Sequence, residues 1–234
     1  TDAWANQSAC SQTITVTVFN LADVIFPADV TINCEATYLN PSATAPVTTG
    51  APSINGASIV GSALCGAQVS MIDEYFEGCE GTFTILREWK VLNNCAPLSS
   101  TNPVTKVQRI QVVDLGGPQF ACPGNVTVSV DAMGCCATAP LPSMIVTEGC
   151  SDITHLEAKV SGIDPSTGNF ITATVAGTLA DFPGNNYWNA DTLAVFSYTQ
   201  CLPNGGVYTV EYSADDECGN HSKCAFTMTI ADLV

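Results

Sequence analysis

Polar and apolar residues alternate along several short stretches of the chain. Branched or aromatic residues alternate with polar ones in the segments 13–19 (TITVTVF), 109–113 (RIQVV) and 226–230 (FTMTI). This period of two is typical of half-buried β-strands. Turn-forming pairs such as Asn55-Gly56 separate these stretches, and no helical period extends over three turns. The pattern predicts an all-β fold.

Parts of the sequence also repeat. The segment 26–32 (FPADVTI) returns at 120–128 (FACPGNVTV), and 216–224 (DECGNHSKC) matches 2–10 (DAWANQSAC) without a gap. We interpret the chain as three copies of one unit, of which the first is truncated. The predicted parts are the terminal strand or strands of a preceding repeat at 1–20, a domain at 21–115, and a domain at 116–234 with an insertion around 168–193.

Each complete unit is close to the ~100 residues of an immunoglobulin-like β-sandwich. The stretch 208–232 (YTVEYSADDECGNHSKCAFTMTIAD), together with 120–128, resembles the hyalin-repeat (HYR) modules, which have an immunoglobulin-like fold. Such modules stand in tandem in long secreted surface adhesins, notably those that gliding Bacteroidota export by type IX secretion. The resemblance implies tandem immunoglobulin-like domains, a stalk or adhesive role and no catalysis. In the middle unit, 94–97 departs from the Asp-x-Cys-Gly-Asn core of the module.

The composition indicates which partners the chain can bind and where in or outside the cell it is located. The chain has 22 acidic and 6 basic side chains, a net charge of −16, which disfavours binding to nucleic acid or to anionic membranes. No apolar stretch approaches the ~18 residues of a spanning helix, so membrane insertion is not expected. Twelve cysteines with only two histidines favour disulfides in an oxidising, extracellular setting over cysteine-based zinc sites, whose usual spacing is missing. We predict a secreted protein at the cell surface.

The sandwich geometry restricts which cysteines can be bridged. A ten-residue strand spans ~33 Å, whereas bridged Cα atoms lie within ~7 Å, so only cysteines at the same end of a domain can pair. Cys122 and Cys224 are expected to pair, because the middle unit lacks both counterparts. The other expected pairs are Cys34–Cys79, Cys65–Cys95, Cys150–Cys218, and Cys201 with either Cys135 or Cys136.

Two cysteines are left over in this scheme. The expected partner of Cys10 lies in the absent part of the first repeat. Alternatively, Cys10 bonds to the spare member of the Cys135–Cys136 pair, or that spare cysteine bonds to a neighbouring molecule. The bridges either resist mechanical force or compensate for the small cores of ~100-residue domains.

Several acidic residues form a candidate calcium site. Asp114 is expected to lie near the run of Asp215, Asp216 and Glu217 at one end of a domain. Carboxylate and carbonyl oxygens are the ligands that Ca²⁺ prefers. The alternative is that these acids only confer solubility. No cofactor other than calcium is expected.

The insertion supplies a second candidate site. Asn186, Tyr187 and Trp188 lie within it, and such residues on a loop suit stacking against a sugar or contact with a protein. The alternative is that these aromatic side chains cover the core of their own domain. His155 and His221 are interpreted as surface residues, because no nucleophile or metal-spaced partner lies near them in sequence. The chain is therefore not expected to be an enzyme.

Together these features predict a structural segment of a long extracellular adhesin or surface filament. Its partners would be neighbouring repeats of the same polypeptide and, in a homo-oligomeric filament, further copies. One alternative is a module that binds a glycan or a cell-surface receptor through the 168–193 loop. Another is a noncatalytic appendage of a secreted hydrolase.

Overall fold

A computed structural model of the chain shows a β-rich molecule. It describes residues 4, 10–12, 19–61, 66–132, 134–138, 140–180 and 191–233. These residues form two compact units, each assembled from three segments. Unit 1 contains the described parts of Thr1–Asp29, Ala45–Glu74 and Leu86–Arg109, and unit 2 those of Val30–Thr44, Tyr75–Ile85 and Ile110–Val234. The domain boundaries inferred from the repeats stay predictions.

Helices in the described residues are short. They are a 3₁₀ turn (Leu21–Asp23), α1 (Cys34–Leu39) and α2 (Pro46–Thr49). Proline opens α2, where the N–H that it lacks has no helical partner, and Gly50 follows its last residue with φ 92°. None of the described helices is long and apolar enough to cross a membrane.

The first sheet has four strands, in the order β1-β6-β5-β4. Their bounds are β1 (Val30–Asn33), β4 (Ala67–Glu77), β5 (Phe83–Asn93) and β6 (Val104–Val113). β1 runs parallel to β6, with Val30 opposite Ile110. A separate small hairpin joins β2 (Ser53–Ile54) to β3 (Ala57–Ser58). Its turn is the predicted Asn55-Gly56 pair, with φ of 50° and 79°, the left-handed values that tight hairpins require.

Unit 1 has a buried polar network. The side chain of Arg87 is 3% exposed, and its Nε and Nη2 donate to the two carboxylate oxygens of Asp73 at 2.7 and 2.8 Å. Its guanidinium carbon lies 5.8 Å from the centre of the Trp89 ring. The indole Nε1 of Trp89 in turn donates to Oε1 of Gln108 at 3.1 Å. The charge of Arg87 is therefore neutralised and hydrogen-bonded inside the unit, as a buried cation requires.

Unit 2 is built on an eight-stranded sheet with the order β7-β10-β13-β12-β11-β15-β16-β8. β12 connects its halves, because residues 170–176 pair with β11 and residues 177–180 pair with β13. The bounds are β7 (Gln119–Phe120), β8 (Val126–Ser129), β10 (Met144–Thr147), β11 (Ile153–Ile163), β12 (Phe170–Ala180), β13 (Asp191–Phe196), β15 (Val207–Asp216) and β16 (His221–Ala231). β9 (Cys136–Ala137) pairs separately with β14 (Leu202–Pro203).

The strand order is that of an immunoglobulin-like sandwich. One half carries the first, second, fifth and fourth strands, and the other carries the third, sixth and seventh. The first strand is split, since β7 pairs with β10 while β8 runs parallel to β16. Between the two halves lie buried residues such as Phe196, Tyr212 and Phe226, with the rings of Phe196 and Tyr212 stacked at 4.5 Å.

The structure confirms the predicted class, an all-β, immunoglobulin-like and disulfide-rich fold. The segments 109–113 and 226–230 lie in β6 and β16. Most of the segment 13–19 lies outside the described residues. The repeated sequences 26–32 and 120–128 each lead into a first strand that runs parallel to the last strand of its sheet.

Two of the four disulfides between described residues match the expected pairs. Cys122 is bonded to Cys224, as predicted, with Cα atoms 5.8 Å apart. Cys136 is bonded to Cys201, which resolves the choice between Cys135 and Cys136. Cys135 lies next to a bridged cysteine on the chain and belongs to none of the four bridges.

The predictions Cys34–Cys79 and Cys150–Cys218 were wrong. The structure pairs Cys34 with Cys150 and Cys79 with Cys218, at Cα separations of 5.9 and 5.4 Å. The predictions assumed that each repeat closes its own bridges. In the structure, all four cysteines belong to unit 2, which combines residues 30–44 and 75–85 with the chain beyond 110.

The remaining cysteines leave their pairing as a prediction. Cys65 lies outside the described residues, and Cys10 and Cys95 are exposed and belong to none of the four bridges. Gly66, the neighbour of Cys65, lies against Cys95, because a Cβ at Gly66 would be 2.5 Å from Sγ of Cys95. The N–H of Asn94 also donates to the carbonyl of Gly66 at 2.7 Å. The expected Cys65–Cys95 bridge therefore stays a prediction, as do both alternatives for Cys10.

The buried ion pair of unit 1 gives a stability prediction. We expect Asp73→Asn to lower the free energy of unfolding by about 3 to 5 kcal/mol, because it leaves the Arg87 guanidinium buried without an opposite charge. Denaturation followed by tryptophan fluorescence measures this. The control is Glu211→Gln, which removes an exposed pair with Lys223 and should cost less than about 1 kcal/mol. Equal effects of the two changes would contradict the argument.

Candidate functional site

Three carboxylates converge in unit 2. Asp114 follows β6, Glu148 follows β10, and Asp216 ends β15. One oxygen from each lies within 4.8 Å of the others. None of the ion pairs among the described residues involves these three side chains. We call Asp114, Glu148 and Asp216 the acidic cluster.

Backbone and hydroxyl groups hold each carboxylate in place. Asp216, which is 3% exposed, accepts from the backbone N–H and the side-chain amide of Asn220 at 2.8 and 2.9 Å. Asp114 accepts from the hydroxyl of Ser151 at 3.0 Å and from the N–H of Gly116 at 3.0 Å. The carboxylates are therefore oriented by neutral donors, which leave their negative charges uncompensated.

Glu148 is the member with an unsatisfied atom. Its Oε1 accepts from the backbone N–H of Gly149 at 2.7 Å and, more weakly, from that of Cys150 at 3.3 Å. Its Oε2 is buried and has no hydrogen-bond partner. Burial raises the pKa of Glu148, and the charges of Asp114 and Asp216 raise it further, against the lowering effect of the two N–H donors. The position favours either a proton or a bound cation.

The predicted calcium residues are only partly brought together. Asp114 and Asp216 meet, but Asp215 points to the opposite side of β15, where its Oδ1 lies 2.5 Å from Nδ1 of His221. Oε2 of Glu217 is 3.4 Å from the N–H of Glu80. Glu148 was missed, because it stands alone in the sequence 144–150 (MIVTEGC) with no recognisable ligand spacing.

A second acidic group lies beside the Cys79–Cys218 bridge. Glu80 is exposed, and partial desolvation together with the nearby carboxylates of Asp152 and Glu217 raises its pKa. The N–H of Glu217 also donates to the carbonyl of Asp152 at 2.9 Å. Negative charge is therefore concentrated next to the Cys79–Cys218 bridge as well as next to the Cys34–Cys150 bridge.

β12 and β13 border the residues predicted to contact a ligand. β12 ends at Ala180 and β13 begins at Asp191. Asn186, Tyr187 and Trp188 lie outside the described residues, so their role stays a prediction.

Comparison with known proteins identifies no family. No protein-family model matches the chain, and no curated protein matches it. The solved structures that match include the cadherin-like domains 1 to 4 of zebrafish RET, with 10% identity, a TM-score of 0.32, and coverage of 76% of this chain and 44% of that one.

Two further matches are of the same kind. Mouse clustered PcdhgC3 EC1-3 has 12% identity and a TM-score of 0.30, with coverage of 65% of this chain and 44% of that one. The human desmocollin-1 ectodomain has 11% identity and a TM-score of 0.21, with coverage of 77% and 36%. The chain thus spans less than half the length of each. At these scores the similarities carry no argument about function.

The raised pKa of Glu148 gives a pH prediction. Because the folded state holds this proton more tightly than the unfolded chain, protonation stabilises the fold, and that contribution is lost as the pH rises through the raised pKa. With chelator at pH 7, we expect Glu148→Gln to have a higher Tm than the wild type. The difference should shrink as the pH falls toward 4.5, the ordinary value for glutamate.

Differential scanning calorimetry over this pH range measures the effect. The control is Glu88→Gln, which changes an exposed carboxylate on β5 and should show no such trend. A Glu148→Gln variant that is less stable than the wild type at pH 7 in chelator would contradict the prediction.

Proposed function

We propose that the chain is a structural segment of a long extracellular adhesin or cell-surface filament, built from disulfide-stabilised immunoglobulin-like repeats. Membership of the hyalin-repeat-like modules, secretion and a location at the cell surface are part of this proposal. It assigns the chain no catalytic activity. The observation that carries it is the arrangement of the disulfides, which join distant parts of the sequence.

The bridges shorten the covalent path along which tension would travel. From the N-terminus this path runs to Cys34, crosses to Cys150, returns along the chain to Cys122 and crosses to Cys224. It crosses 33 peptide bonds from residue 1 to Cys34, 28 from Cys150 back to Cys122, and 10 from Cys224 to residue 234. At roughly 3.4 Å per residue, the fully unfolded chain extends about 240 Å with bridges intact and about 790 Å when reduced.

Such a limit suits a protein that bears load, since unfolding under tension would expose only a short length of chain. The bridge between Cys34 and Cys150 closes 116 residues and that between Cys79 and Cys218 closes 139. In the chain-entropy model each stabilises the fold by about 4 to 5 kcal/mol. Restricted extension and high stability together support a mechanical role.

Single-molecule stretching tests this role. With the chain held at its two ends, we expect complete unfolding to lengthen it to about 240 Å without reductant and to about 790 Å with it. The control is Cys136→Ser with Cys201→Ser, which removes a bridge outside the short path and should leave the unreduced length unchanged. An unreduced length near the reduced one would contradict the proposal.

Electron microscopy of unreduced protein from its source would show whether the parent molecule is an elongated fibre.

The acidic cluster favours a second role, calcium binding. The residues fit this ion: three carboxylates supply hard oxygen ligands, and Oε2 of Glu148 is buried without a hydrogen-bond partner. We propose that Asp114, Glu148 and Asp216 hold one Ca²⁺, which would neutralise their mutual repulsion and stabilise unit 2.

Calcium addition tests this role separately from the mechanical one. Ca²⁺ at 100 times its Kd should stabilise the wild type by about 2.7 kcal/mol, seen as a raised Tm. Asp114→Asn and Glu148→Gln should lose most of this gain. Glu217→Gln, outside the cluster, is the control and should keep it. An equal response of all four proteins would place the ion elsewhere.

A further inference from the structure

The only two histidines of the chain lie on one face of unit 2. They are 66 residues apart in sequence, His155 on β11 and His221 at the start of β16. β15 runs between these two strands, and its Asp215 is the register partner of both histidines. The three residues therefore form one row across three adjacent strands.

The three side chains point to the same side of the sheet. On β11, Leu156, Ala158 and Val160 are buried, which places the residues between them, and His155, on the outer face. The buried residues of β15 and β16 alternate in the same way, so Asp215 and His221 also face outward. Their side chains are 40% and 46% exposed, and that of His155 is 55% exposed.

Each imidazole already faces a carboxylate. Nδ1 of His221 lies 2.5 Å from Oδ1 of Asp215. Nε2 of His155 lies 3.3 Å from Oε2 of Glu157, the next outward residue on β11. The row thus brings together two imidazoles and two carboxylates from three strands.

We propose that His155, Asp215, His221 and Glu157 bind one divalent transition ion of the zinc type. Neighbouring strands are about 4.8 Å apart, so the two histidines flank Asp215 from opposite sides. Their ligand atoms do not all lie within 4.8 Å of one another in the structure, so an ion would have to draw these outward-facing side chains together by rotation. Two imidazoles and two carboxylates form a four-ligand set that suits Zn²⁺, and the two negative charges balance the ion.

This ligand set differs in chemistry from the acidic cluster. Imidazole nitrogens select zinc and related ions, whereas an all-carboxylate set suits calcium. The inference does not depend on the mechanical or calcium role, and its test has separate readouts.

Titration with Zn²⁺ by calorimetry, and with Co²⁺ by visible absorption, tests the site. The full chain is used with its disulfides intact, its accessible thiols alkylated, and an excess of Ca²⁺ present to occupy the acidic cluster. We expect one ion per chain and Co²⁺ bands of nitrogen and oxygen ligation. His155→Ala and His221→Ala should each weaken binding by at least about tenfold.

The control is Glu211→Gln, an exposed carboxylate on the same face whose partner is Lys223. It should leave the affinity unchanged, and circular dichroism of each variant checks that the sheet is intact. Absence of binding to the wild type would overturn the proposal, as would unchanged affinity in both histidine variants. Binding that is lost in Asp216→Asn but not in the histidine variants would also overturn it, since the ion would then be in the acidic cluster.

Discussion

Two disulfide bonds determine which charged groups of unit 2 meet. Glu148 stands two residues before Cys150, and Asp216 stands two residues before Cys218. The bridges from these cysteines to Cys34 and Cys79 fix the chain beside each acid. The bridges stabilise the fold because they restrict the conformations of the unfolded chain. This stabilisation offsets the repulsion between the carboxylates, which would otherwise move apart. The acidic cluster thus depends on the covalent frame.

The alternation of side chains at the end of β15 places the acidic cluster and the row of histidines on opposite faces of the sheet. Asp215 and Asp216 are adjacent, but successive residues of a strand point to opposite faces. Asp216 points inward, where it is 3% exposed and meets Asp114 and Glu148. Asp215 points outward, where it contacts His221 and stands opposite His155 in the strand register. The turn between β15 and β16 is fixed by the hydrogen bonds of Asn220 to Asp216, so both faces are organised by the same few residues.

The period-two pattern was enough to predict the class of fold, because burial of alternate residues is a local property of each strand. The Cys122–Cys224 bridge was predictable because the middle unit lacks both counterparts. The partners of Cys34 and Cys79 were not, since they depend on which segments pack into one compact unit. Glu148 and the row of histidines were missed for a related reason. The distance between two residues along the sequence does not reveal how their strands are aligned in a sheet. It is the strand register that places His155 and His221 on either side of Asp215.

Charge distribution connects the sites to the rest of the molecule. The chain has 22 acidic side chains and only 6 cationic ones. One cation, Arg87, is buried against Asp73 and is not available to balance surface acids. Two others, Lys159 and Lys223, lie on the outer face of β11 and β16 with Glu157 and Glu211, so that face is nearly balanced apart from Asp215. The acidic cluster has no such balance among the described residues. Among the described residues the cluster has no cation to offset its three carboxylates, which is the physical reason to look to a metal ion for positive charge there.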